Sequence, residues 1–151
     1  MPVTDDQVAT LHAQLAGRAE EHLRRLRQLD RAQADVGYSA LISAAFFEAA
    51  RRRFIKNGKP ATDAEVIDYI AAVRERSDDA VDVIVPDLAE RLTNYVLGKL
   101  PFDANQDIDP NVAIRIKTLL LAALVGDEAF SDAELDAFMT KARDLAEESL
   151  R

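Results

Sequence analysis

The chain has 151 residues, 48% of them hydrophobic, and a formal net charge of −8. That length suits one domain with a real core, and the absence of cysteine excludes disulfides, thiolate metal sites and cysteine catalysis. Glycine and proline number five each, so little interrupts a helical reading of the chain. The charge is uneven. Residues 1–60 carry ten Lys/Arg against seven Asp/Glu, and residues 61–151 carry nine against twenty, which makes +3 and −11. The plain reading is a basic N-terminal region that faces solvent or docks on the acidic remainder; the sharper one is two surfaces for different partners. The start, MPVTDDQVATLH, has no basic segment followed by an apolar run, so no signal peptide is expected. With no disulfide to form, a cytoplasmic home is the expectation. The excess of arginine over lysine suggests a GC-rich bacterial coding sequence.

Thr4-Asp5-Asp6-Gln7 has the form of a capping box. The helix it opens is expected to run to about Arg31, with Val8, Leu11, Leu15, Ala19, Leu23, Leu26 and Leu29 as its apolar stripe. That stripe keeps a period of 3.6, which predicts one straight helix as long as the whole domain. Glu20–Arg24 and Glu21–Arg25 are favourable i,i+4 pairs on a solvated face. Asp35-Val36-Gly37 is a short turn into the most apolar early stretch, Tyr38–Lys56. Leu41, Ile42, Ala45, Phe46 and Ala49 share one face there, and Ala44, Phe47, Ala50 and Phe54 add a second edge. Glu48 and Arg51 to Arg53 interrupt this run, so it is not a membrane span. Asn57-Gly58 and Pro60 stop the helix.

Thr62-Asp63-Ala64-Glu65 reads as a second box, opening a helix with Val66, Ile67, Tyr69, Ile70 and Val73 inward. A short helical turn is expected from Ser77 through Asp82. Pro86 starts the next helix, and Gly98 ends it. Lys99 to Asp109 is the longest loop. Asp109 caps the second central helix, Asn111–Val125, with Ile116, Leu119, Leu120 and Leu124 on its apolar side and Gly126 as its stop. Ser131-Asp132-Ala133-Glu134 is a third box and opens the terminal helix, with Leu135, Phe138, Met139 and Ala142 inward. Two helix-loop-helix units of similar layout are plausible from the Thr62 and Ser131 echo, although the capping chemistry alone explains it.

Few residues carry chemistry. Asp103, Asn105, Asp107, Asp109 and Asn111 alternate as in an EF-hand loop, but Ile108 and Ile114 stand where the glycine and the bidentate glutamate belong. His12 and His22 lack metal-ligand spacing and read as surface histidines. No nucleophile motif or glycine-rich phosphate loop is present. No catalytic residue, metal or cofactor is therefore expected, and the reading leans away from an enzyme. Leu119 to Phe138, an apolar helix followed by Gly-Asp-Glu and Ser-Asp-Ala-Glu, resembles the TerB-like helical domains of stress-response proteins. The likeness covers about twenty residues and implies two well-capped helices, with no functional residue to carry across.

The expected fold is an all-α bundle of six or seven helices around two central apolar helices. It forms a single domain over 1–151, with a long first helix at 4–31, a central region at 38–125 and a terminal helix at 131–150. The leading function is a non-enzymatic protein-interaction or regulatory module. Its partner is another protein, with a homodimer as one form, and it has no membrane. The candidate interaction residues are Leu11, Leu15, Leu23 and Leu26 with Arg24, Arg27 and Arg31, and Arg51, Arg52 and Arg53. Alternatives are a nucleic-acid-associated regulator using Arg51 to Arg53, which the acidic chain disfavours, and a TerB-like small-ligand or metal binder.

Overall fold

Residues 3–29 and 34–151 are described in a computed structural model of the chain. The class is all-α, and the helices fit a bundle. Eight α-helices occur among the described residues: α1 Asp5–Leu15, α2 Ala19–Gln28, α3 Ser39–Phe54, α4 Asp63–Arg74, α5 Asp78–Val83, α6 Pro86–Val96, α7 Pro110–Glu128 and α8 Asp132–Ser149. A π-helical turn, Ala34–Tyr38, leads into α3.

One more helix is present than expected because the long first helix is two. Gly17 takes φ +78°, a left-handed conformation that costs a glycine nothing. Two nested hydrogen bonds, Gly17 N to Gln14 O at 3.1 Å and Arg18 N to Ala13 O at 2.9 Å, close the end of α1. The chain restarts at Ala19. Asp30 and Arg31, the expected end, lie outside the described residues.

Two smaller differences have equally local causes. Asn57 and Gly58 are both left-handed, at φ 53° and 76°. They form the two-residue turn of a short hairpin, β1 Ile55–Lys56 and β2 Lys59–Pro60, paired Ile55 to Pro60 and Lys56 to Lys59. Gly126 does not stop α7, which runs on to Glu128. The left-handed residue there is Ala129, at φ 52°.

Helix starts follow the side-chain chemistry. Thr4 and Ser131 make full reciprocal capping boxes with Gln7 and Glu134. Thr62 makes half of one: its hydroxyl accepts from Glu65 N at 3.2 Å, while the Glu65 carboxylate accepts from the same hydroxyl rather than from the backbone. Asp109 accepts from Asn111 N at 2.7 Å and so caps α7.

The chain forms two compact units, residues 1–48 with 125–151, and residues 49–124. In the first, α1 packs against α2 and α8. Leu11, Ala13, Leu41, Phe46, Phe138 and Met139 are among its buried side chains. Arg143 on α8 donates to Asp5 Oδ1 at 2.7 Å and to Val3 O at 2.6 Å, and Lys141 pairs with the buried Glu48 at 3.1 Å. In the second unit, α4 packs against α6 and α5. Val66, Ile70, Ile84, Leu92, Ile116 and Leu120 are buried there, and Phe54 meets Tyr69 edge to face with centroids 5.5 Å apart.

Candidate functional site

The break at Gly17 changes what the N-terminal leucines do. Leu11, on α1, is fully buried, and Leu15 is half-buried. Leu23 and Leu26, on α2, are 49% and 40% exposed. None of the residues of α2 is buried. The stripe that continues smoothly in sequence is thus cut in space, and its second half faces solvent.

The charges of α2 are placed around that face. Ala19, Leu23 and Leu26 recur at helical spacing and form one side. Glu20 and Arg27, seven residues apart, border that side on the same flank. Neither forms an ion pair among the described residues. Glu21, on the far side, is shared by Arg18, Arg24 and Arg25 at 3.8–3.9 Å, distances too long for hydrogen bonds. The expected Glu20–Arg24 pair is therefore not made, because Arg24 leans toward Glu21. Arg27 is exposed. Arg31 lies outside the described residues.

A groove of about 530 Å³ runs beside α2 between α1 and α8, with Val8, Ala9 and Met139 as its apolar part. His12 Nε2 sits 3.0 Å from Asp136 Oδ1 on its wall, and His22 Nδ1 donates to Thr10 O at 2.8 Å and ties α2 to α1. Both histidines, expected on the surface, are half-buried with partners on another helix or turn of the fold. Sequence reasoning could not find the Asp136 contact, which spans 124 residues. Arg25 Nε is buried without a hydrogen-bond partner. Arg143 is fully engaged, with Glu147, Asp5 and Val3 O. Its hydrogen bond to Asp5 holds its guanidinium above the ordinary value.

The basic end of α3 is built into the second unit. Arg51 donates to Val96 O at 3.0 Å, at the end of α6. Arg53 lies over the Tyr69 ring at 5.0 Å. Arg52 is exposed, and Lys56 donates to its carbonyl at 3.2 Å. The loop before α7 is likewise internally tied: Arg91 on α6 binds both carboxylate oxygens of Asp107 and donates to Ala104 O at 2.7 Å. Of the residues that alternate in that loop, Asp107 is thus an ion-pair partner, and Asp109 is the helix cap expected of it. Phe102, in the same loop, is 84% exposed.

Among the described residues, no three His, Cys, Asp or Glu side chains cluster as a metal site, and no helix is long and apolar enough to cross a membrane. No protein-family model, curated protein or solved structure matches the chain.

Proposed function

We propose that the chain is a non-enzymatic protein-interaction module and that α2 is its docking face. One observation supports this above the others: α2 is amphipathic yet buries none of its residues, and leaves Leu23 and Leu26 in solvent. A surface helix ordinarily turns its apolar stripe to the core of its own domain. Leucines left outside, rimmed by charge, are the composition of a helix that docks on something else.

The basic end of α3 fits a nucleic-acid surface less well. Phosphates there would compete with the Val96 carbonyl for Arg51 and with the Tyr69 ring for Arg53. A small-ligand reading draws on the groove beside α2, whose volume of about 530 Å³ suits a compact molecule. It is the second choice because most polar groups on the groove wall already hold each other. A cytoplasmic location belongs to the same reading and rests on the cysteine-free composition.

The test is affinity capture with the wild-type chain and with Leu23→Gln/Leu26→Gln, which keeps good helix formers at both positions. The expected result is a protein set, the chain itself included, that the wild type retains and the variant loses. An identical set on both baits would contradict the assignment of α2.

A further inference from the structure

We propose that the occupant of the α2 face is a second copy of this chain, with the two α2 helices antiparallel about a twofold axis. The proposal rests on the reading of α2 as a docking face and names its partner. The argument is charge complementarity. α2 begins with acids, Glu20 and Glu21, and ends with bases, Arg24, Arg25 and Arg27. Glu20 and Arg27 stand on one flank of the Leu23–Leu26 ridge, two turns apart, and neither has an ion-pair partner among the described residues.

In an antiparallel pair centred between Leu23 and Leu26, each Leu23 lies across from Leu26 of the second copy. Like flanks then face each other, as they do in antiparallel coiled coils. Glu20 of each copy comes beside Arg27 of the other, so one twofold operation satisfies both charges twice. A parallel pair does not do this. There the flank of Glu20 and Arg27 meets the opposite edge of the second helix, where Arg27 faces His22 and no acid. The face is therefore self-complementary in one orientation only, which is the requirement for an isologous dimer. The helix has ten residues and two exposed leucines. The contact is accordingly small, and the dimer is reversible, in the micromolar-or-weaker class of small interfaces.

Sedimentation velocity of the intact chain, from micromolar to millimolar concentration, reads this out. The expected mass rises with concentration from 16.7 kDa toward twice that value. Glu20→Arg places two arginines on the flank, and Arg27→Glu places two glutamates. Each variant alone should stay monomeric, and an equimolar mixture of the two should recover the association, because the complementary pairs reform. Circular dichroism checks that both fold. A wild type that stays monomeric throughout, reversals that leave association unchanged, or a mixture that stays monomeric would each overturn the antiparallel α2 dimer. If the wild type is monomeric while Leu23→Gln/Leu26→Gln still loses a captured foreign protein, the docking face stands and only the second copy falls. If that variant alters neither association nor capture, both readings fall.

Discussion

A Cβ placed on Gly37 would stand 2.6 Å from Gln7 Oε1 and 2.8 Å from its Nε2. The glutamine cannot readily yield, because it is buried at 1% exposure and its carbonyl accepts from Thr4 N at 3.0 Å to complete the cap of α1. Gly37→Ala should therefore displace Gln7, loosen the cap and cost about 1–3 kcal/mol. Urea unfolding measures this, and a variant as stable as the wild type would show that the π-helical turn sits farther from α1. The two halves of this contact differ in legibility. The capping box is a four-residue pattern, so Thr4 and Gln7 declare themselves in sequence. That Gln7 also covers Gly37 depends on where the chain returns thirty residues later, and no local pattern holds that information. His12 with Asp136 and Arg143 with Asp5 were hidden for the same reason.

At the scale of elements, Gly17 and Gly98 end helices in the same way, each left-handed with two nested hydrogen bonds behind it. Only Gly98 was legible. It is followed by a loop with Pro101, whereas Gly17 is followed by Arg18, Ala19, Glu20 and Glu21, strong helix formers that continue the apolar period unbroken. Periodicity sees a stripe and cannot see that the axis has turned beneath it. The loop before α7 was read correctly as a loop, but its anchor was not. The hydrogen bond from Arg91, and then its own backbone contact, hold the Asp107 carboxyl below the usual range. A carboxyl depressed in the folded chain adds stability above its unfolded value of about 3.9, and that contribution is lost as pH falls toward the folded value. Asp107→Asn should lower stability slightly at neutral pH and flatten the acid limb below about pH 4. Urea midpoints at pH 7 and pH 3 test this. Equal losses for wild type and variant on acidification would exclude Asp107 as a contributor.

For the whole molecule, the division by sequence and the division by structure distribute charge differently. The basic N-terminal 60 residues and the acidic remainder do not survive as separate bodies. Residues 1–48 with 125–151 hold eight Lys/Arg and fifteen Asp/Glu, a net −7, and residues 49–124 hold eleven and twelve, a net −1. More than half of the acid in the first unit lies on α8 and the end of α7, while α2 keeps a basic C-terminal half. The all-α class and the buried positions Phe46 and Leu120, at 1% and 2% exposure, were readable because long, strongly apolar helices have few other places to go. The outward turn of Leu23 and Leu26 was readable only in part: both stand among the candidate interaction residues, but on one straight helix, and the break at Gly17 that leaves them exposed has no local signal.

Urea unfolding of Leu23→Gln/Leu26→Gln, at a concentration low enough to keep the chain monomeric, tests the outward placement of α2 most directly. Two leucines facing solvent predict a stability within about 0.5 kcal/mol per site of the wild type. A loss of about 2–5 kcal/mol at each site, the cost of truncating buried leucines, would contradict it and return α2 to the core.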